Sequence, residues 1–104
     1  MRHEYVELKG LGRLPADDAL DESLATSFQA VISALPPPQN DEETLLLIAA
    51  LPGDDSTAFG LAWGLLHNIE ASPTWPIWAA LDDSTWWVTL LRDRAERAGL
   101  TRPS

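Results

Sequence analysis

His67 and Glu70 stand three residues apart, a spacing that puts both side chains on one face of a helix. An imidazole beside a carboxylate can share a proton or supply two ligands to a metal ion. A structural zinc needs four ligands and a catalytic zinc usually three, and no second histidine pair exists. His67 is more simply read as a polar residue bonded to a neighbouring carbonyl. Adjacent acids recur at Asp54-Asp55 and Asp82-Asp83. Acid–base catalysis by two carboxylates needs environments that split their pKa values across a cleft, and neighbours at a helix start are a poor match. There is no cysteine, glycine-rich phosphate loop, calcium loop or Ser/His/Asp spacing. No catalytic residue, metal ligand or cofactor is assigned on these grounds, and a non-enzymatic role is expected. A small hydrolase or metal-dependent enzyme built on His67 and Glu70 is the least supported reading.

The chemistry that remains is recognition. The segment "TWPIWAALDDSTWW", Thr74 to Trp87, holds four of the five tryptophans of a 104-residue chain. Trp63 lies mid-stripe with Leu66, and Trp87 aligns with Leu91 and Ala98, so both are expected in the core. Trp86 is turned about 100° from Trp87 on a helix and shares its face with Leu90, Asp93 and Arg97. It is the best candidate for exposure. Trp75 and Trp78 flank Pro76, where an indole either folds down as a lid or points outward. If two of these three indoles are exposed together, with Asp82 and Asp83 nearby, the patch has the makeup of a protein-binding hot spot. The expected partner-binding residues are Trp75, Trp78, Asp82, Asp83, Trp86 and Leu90.

Charge narrows the partner. The net charge is −9, and all seven basic residues fall outside the segment from Leu14 to Leu91, which holds twelve carboxylates. Nucleic acid and anionic membranes are excluded as expected partners, because phosphate contacts need cations. A basic protein would be steered inward by such a field. Eleven of the twelve acids cluster where helices should begin, and capping explains part of that placement. It does not explain the missing lysines.

The elements that must carry these residues read as helices. Apolar residues make up 45% of the chain, enough for one core at this length. The first helix is expected over 17–35, with Leu20, Leu24, Phe28, Val31, Ile32 and Leu35 on one side and "PPP" at 36–38 as its stop. The second, 41–51, contains "LLLIAAL", is apolar all round and should be central. The third spans 55–71, with Phe59, Trp63 and Leu66 on its apolar side and Gly60 and Gly64 on the other, where a close helix crossing would compensate two glycines. A short helix over 76–81 and a last long one over 84–98 complete the set. "DDST" opens two of these segments, at 54–57 and 82–85, a weak repeat that capping chemistry can also produce. Residues 1–14 alternate briefly at Val6 and Leu8 and read as an extended strap.

The segment "FGLAWGLLHNIEASPTWP", Phe59 to Pro76, resembles segments of small helical proteins of high-GC actinobacteria, some of them similar to immunity proteins that neutralise a neighbouring toxin. The resemblance implies a helical fold and an inhibitor's role; it assigns no functional residue.

The expected fold is all-α: a small antiparallel bundle of four main helices plus one short helix over 15–104, with an extended N-terminal arm at 1–14. The expected function is that of an acidic, cytoplasmic, bacterial immunity or antitoxin-type inhibitor that occludes a basic protein. The alternative is a structural adaptor or homo-oligomerising module whose apolar edge pairs with itself as a homodimer. No membrane role is expected, since the longest apolar run, Leu45 to Leu51, is too short to span a bilayer.

Overall fold

The computed structural model describes residues 2–58 and 60–100. Among these residues there are five α-helices, two single 3-10 turns and no strands. None of the helices is long and apolar enough to cross a membrane.

The first helix corrects the expected extended arm: α1 covers His3–Leu11. The apparent alternation at Val6 and Leu8 is misleading, because the buried pair is Tyr5 and Leu8, three apart, while Val6 is exposed. Nine residues are too few for a stable helix in isolation. Tertiary bonds hold it instead. The Tyr5 hydroxyl donates to the Pro36 carbonyl at 2.6 Å, and Arg2, its N-cap, reaches Glu43. Leu14 then donates its N–H to Ala50 O at 2.8 Å. The starts of α1 and of α3 (Asp41–Ala50) are thus tied together, as are their ends, so these two helices run in the same direction.

A 3-10 turn at Asp17–Ala19 precedes α2, Glu22–Ala34, which therefore starts five residues later than the periodicity predicts. The acids at 17 and 21 divide the labour. Asp21 caps α2 by accepting the Leu24 N–H at 2.7 Å, whereas Asp17 accepts the N–H of Ala58 at 2.7 Å. Phe28 and Ile32 are the buried residues of α2.

Helix α3 spans Asp41–Ala50, with the Asn40 side chain accepting the Glu43 N–H at 2.9 Å. Its fully apolar run does not make it central. It packs against α1 and α4 through Glu43, Thr44, Leu47, Ile48 and Ala50, and leaves Leu45 and Ala49 exposed.

Helix α4 is shorter than expected, Leu61–Glu70, because the chain bends through 53–55 and turns at Ala58 and Gly60 first. Gly60 is the N-cap at φ 89°, a conformation in which a side chain is strained, and not a mid-helix glycine. Phe59, expected on the apolar stripe, lies outside the described residues. Gly64 does face α2, but a methyl there would meet Ile32 Cγ2 at an ordinary 3.5 Å. The crossing therefore does not demand glycine at 64. We expect Gly64→Ala to raise stability by about 0.5–1 kcal/mol through helix propensity, measured as an upward shift in a urea midpoint with unchanged slope.

A cis Trp75-Pro76 bond and a 3-10 turn at Trp78–Ala80 lead to α5, Trp86–Arg97, capped by Thr85, which accepts the Val88 N–H at 3.1 Å. Its buried face is Trp87, Val88, Leu91 and Ala95. One apolar cluster runs from Tyr5 of α1 to Leu91 of α5.

Candidate functional site

Three of the five indoles form one cluster. Trp87 is fully buried because α5 turns it inward with Leu91 and Ala95, and its Nε1–H donates to the Ser56 carbonyl at 2.9 Å. Trp63 from α4 and Trp86 from α5 each stand edge-on to it, with ring centroids 5.0 Å away and planes at 78° and 81°. Edge-to-face indoles at this separation attract each other beyond the apolar area they bury.

Exposure within the cluster splits differently from expectation. Trp86 is 47% exposed, as its position beside Leu90 and Asp93 implies. Trp63 is 37% exposed, which corrects its expected place in the core. The buried stripe of α4 is Ala62, Leu65, Leu66 and Ile69, and Trp63 lies a full helical step to the side. Its edge-on contact with Trp87 covers part of it. Two large apolar rings from different helices are therefore presented together, with a buried ring between them.

The other expected site residues separate into two groups. Trp75, Trp78 and Leu90 are half-buried and pack against the core, so the turn around Pro76 folds down over it. Asp82 and Asp83 are exposed immediately ahead of α5.

Carboxylates border the cluster through its own hydrogen bonds. Ser56, whose carbonyl takes the Trp87 N–H, donates its backbone N–H to Asp54 Oδ1 at 2.9 Å and accepts the Asp17 N–H on its hydroxyl at 3.1 Å. The second "DDST" makes the same local turn, with Ser84 N–H donated to Asp82 Oδ1 at 3.0 Å. The shared tetrapeptide is thus one Asp–Ser turn used twice; only the second copy leads straight into a helix. These bonds favour the charged carboxylates. The Ser56 N–H holds Asp54 below the usual carboxylate range, and the Ser84 hydroxyl and N–H do the same for Asp82, with a smaller contribution from Arg92.

Glu70 is committed elsewhere. Arg94 Nε and Nη2 each donate to its carboxylate at 2.8 Å, a fork that ties α5 to α4. His67 stays exposed on the neighbouring turn. Among the described residues no group of three or more His, Cys, Asp or Glu side chains is placed to hold a metal ion.

Sequence reasoning also missed a buried ion pair. Glu43 is 1% exposed and accepts from Arg2 Nε at 3.0 Å, Arg2 Nη2 at 2.7 Å and the Gln39 N–H at 2.9 Å. The Arg2 guanidinium, then the Gln39 and Arg2 N–H groups, hold its pKa at about 2 against the opposing effect of burial. One signal was present: of three acids in "DEE", only Glu43 sits three residues after Asn40, the capping-box position that turns a side chain back toward the helix start.

Comparison with protein-family models, curated proteins and solved structures finds no match to this chain.

Proposed function

We propose that this chain is a non-enzymatic, acidic protein-binding domain of the cytoplasm, most specifically an immunity or antitoxin-type inhibitor that covers a basic protein. The observation that carries the reading is the exposed pair Trp63 and Trp86, braced on buried Trp87, whose N–H bonds Ser56, itself bonded to Asp54 and Asp17. Rigid indoles supply desolvated contact area at little entropic cost, and hot spots are enriched in them. The aspartates guide a cationic surface toward the rings and oppose acidic competitors. An antiparallel helical bundle is the arrangement proposed to support this surface, a reading favoured by α1 and α3 running the same way on either side of α2 in chain order.

The test uses the protein encoded beside this one, purified separately. A complex is expected whose association rate falls steeply with added salt, since the steering is electrostatic. Trp86→Ala and Trp63→Ala should each weaken it by about tenfold or more, or roughly 1.4 kcal/mol, and Asp83→Lys should chiefly slow association. Absence of a complex, or one indifferent to all three changes in titration calorimetry, rejects the proposal.

A further inference from the structure

A second surface lies on other helices than the indole cluster, where α1 and α3 run side by side. Between them is a groove of about 100 Å³ lined by Leu8, Gly12, Leu46, Ala49 and Ala50, with Arg13 at its end. The helices that form it carry two of the chain's most exposed aliphatic residues, Val6 at 52% and Leu45 at 41%. One exposed aliphatic side chain is ordinary on a folded protein. Two features here are not.

The first is Gly10, one helical turn after Val6. It is exposed within α1, and a Cβ built on it would touch nothing within 4 Å. A glycine inside a helix costs about 1 kcal/mol relative to alanine, and no contact within this chain needs the bare backbone. On α3 the matching residue is Ala49, one turn after Leu45 and also exposed. Each helix therefore shows a branched side chain followed one turn later by a small residue.

The second is charge. Asp41 and Glu42 are exposed at the start of α3, while Lys9 and Arg13 are exposed at the far end of α1, and the helices are parallel. One end of the face is acidic and the other basic. Every copy carries a net charge of −9, so any contact between copies must occur where cations offset that repulsion.

We propose that the α1/α3 face docks a second copy of this chain about a two-fold axis perpendicular to both helices. Such an axis reverses the face onto itself. Val6 and Leu45 of one copy then meet Gly10 and Ala49 of the other, and the basic end at Lys9 and Arg13 is brought over the acidic end at Asp41 and Glu42. A face that is knob-then-hole and acid-then-base along one direction is self-complementary under this symmetry alone.

Sedimentation equilibrium of the full chain tests this. The wild type is expected to reach a two-copy mass at micromolar concentration. Leu45→Glu should raise the dissociation constant by about tenfold or more. Lys9→Glu and Glu42→Lys should each be monomeric, because each sets like charges opposite one another. An equimolar mixture of those two variants should recover the two-copy mass, since both pairs then regain opposite signs. Circular dichroism confirms that each variant folds, and all the substituted side chains are exposed. A monomeric wild type, a dimer unaffected by Leu45→Glu, or a mixture that stays monomeric overturns the proposal. Trp86→Ala should leave the mass unchanged; loss of the dimer in that variant would instead place the contact at the indoles and also overturn it.

Discussion

Arg2→Ala is expected to destabilise the fold clearly, because it leaves the buried Glu43 carboxylate without its guanidinium partner. The carboxylate of Glu43 loses the two hydrogen bonds donated by the Arg2 guanidinium and keeps those from the Gln39 N–H and the backbone N–H of residue 2. The same pair sets a pH dependence. Glu43 falls from the ordinary 4.5 to about 2 on folding, so the folded state favours its ionised form. That contribution is fully present above pH 4.5 and is lost as pH falls from there toward 2. Integrated over the shift it amounts to about 3 kcal/mol. Other acids titrate in this window as well, so the informative quantity is a difference. Urea unfolding of wild type and Glu43→Gln should differ most near pH 6 and converge near pH 2; parallel curves would show that Glu43 contributes no acid sensitivity. Tyr5 is the only tyrosine and gives an independent view. Burial, then the Glu43 charge, push its hydroxyl up to about 12, so ultraviolet titration should show late ionisation in wild type and a return toward 10 if Arg2→Ala releases α1.

Trp87→Ala is the second large effect. A buried tryptophan replaced by alanine costs about 3–5 kcal/mol through lost transfer energy and the cavity left behind. Here the variant also strands the Ser56 carbonyl and removes the ring against which Trp63 and Trp86 stand. Thermal unfolding should therefore begin at a clearly lower temperature. Quencher access to the remaining indoles should rise even under conditions where the protein is still folded. Trp87→Phe separates the contributions: it keeps most of the apolar volume but loses the hydrogen bond, and should cost about 1–2 kcal/mol. Equal losses in the two variants would mean that packing around Trp87 matters little.

Legibility from sequence followed the range of the interactions. Asn40 and Thr85 cap the helices they precede, and α2, α3 and α5 appear within a few residues of where turn chemistry and periodicity put them. Those signals are local. Helix α1 was hidden because its helicity depends on partners 31 and 41 residues away, Pro36 and Glu43. The loop at 54–58 was hidden for a related reason: Asp17, read as a helix-start acid, bonds Ala58 across the fold, while Asp54 is spent on a local turn with Ser56. At the candidate site, Trp86 was legible from its mixed helical face. Trp63 was not, because a stripe of Leu, Ala and Trp on α4 is wide enough to bury only its middle. Glu43 was concealed by its neighbours, two acids of the same kind that remain in solvent.

The edge-on indoles have a spectroscopic consequence. Rings held with centroids 5.0 Å apart in a chiral arrangement do not absorb as independent chromophores. Their electronic transitions mix, and the mixed bands contribute to far-ultraviolet dichroism where helices also do. Helix content read from that spectrum will be distorted in the wild type, and the distortion should vanish in Trp87→Phe without any change in backbone.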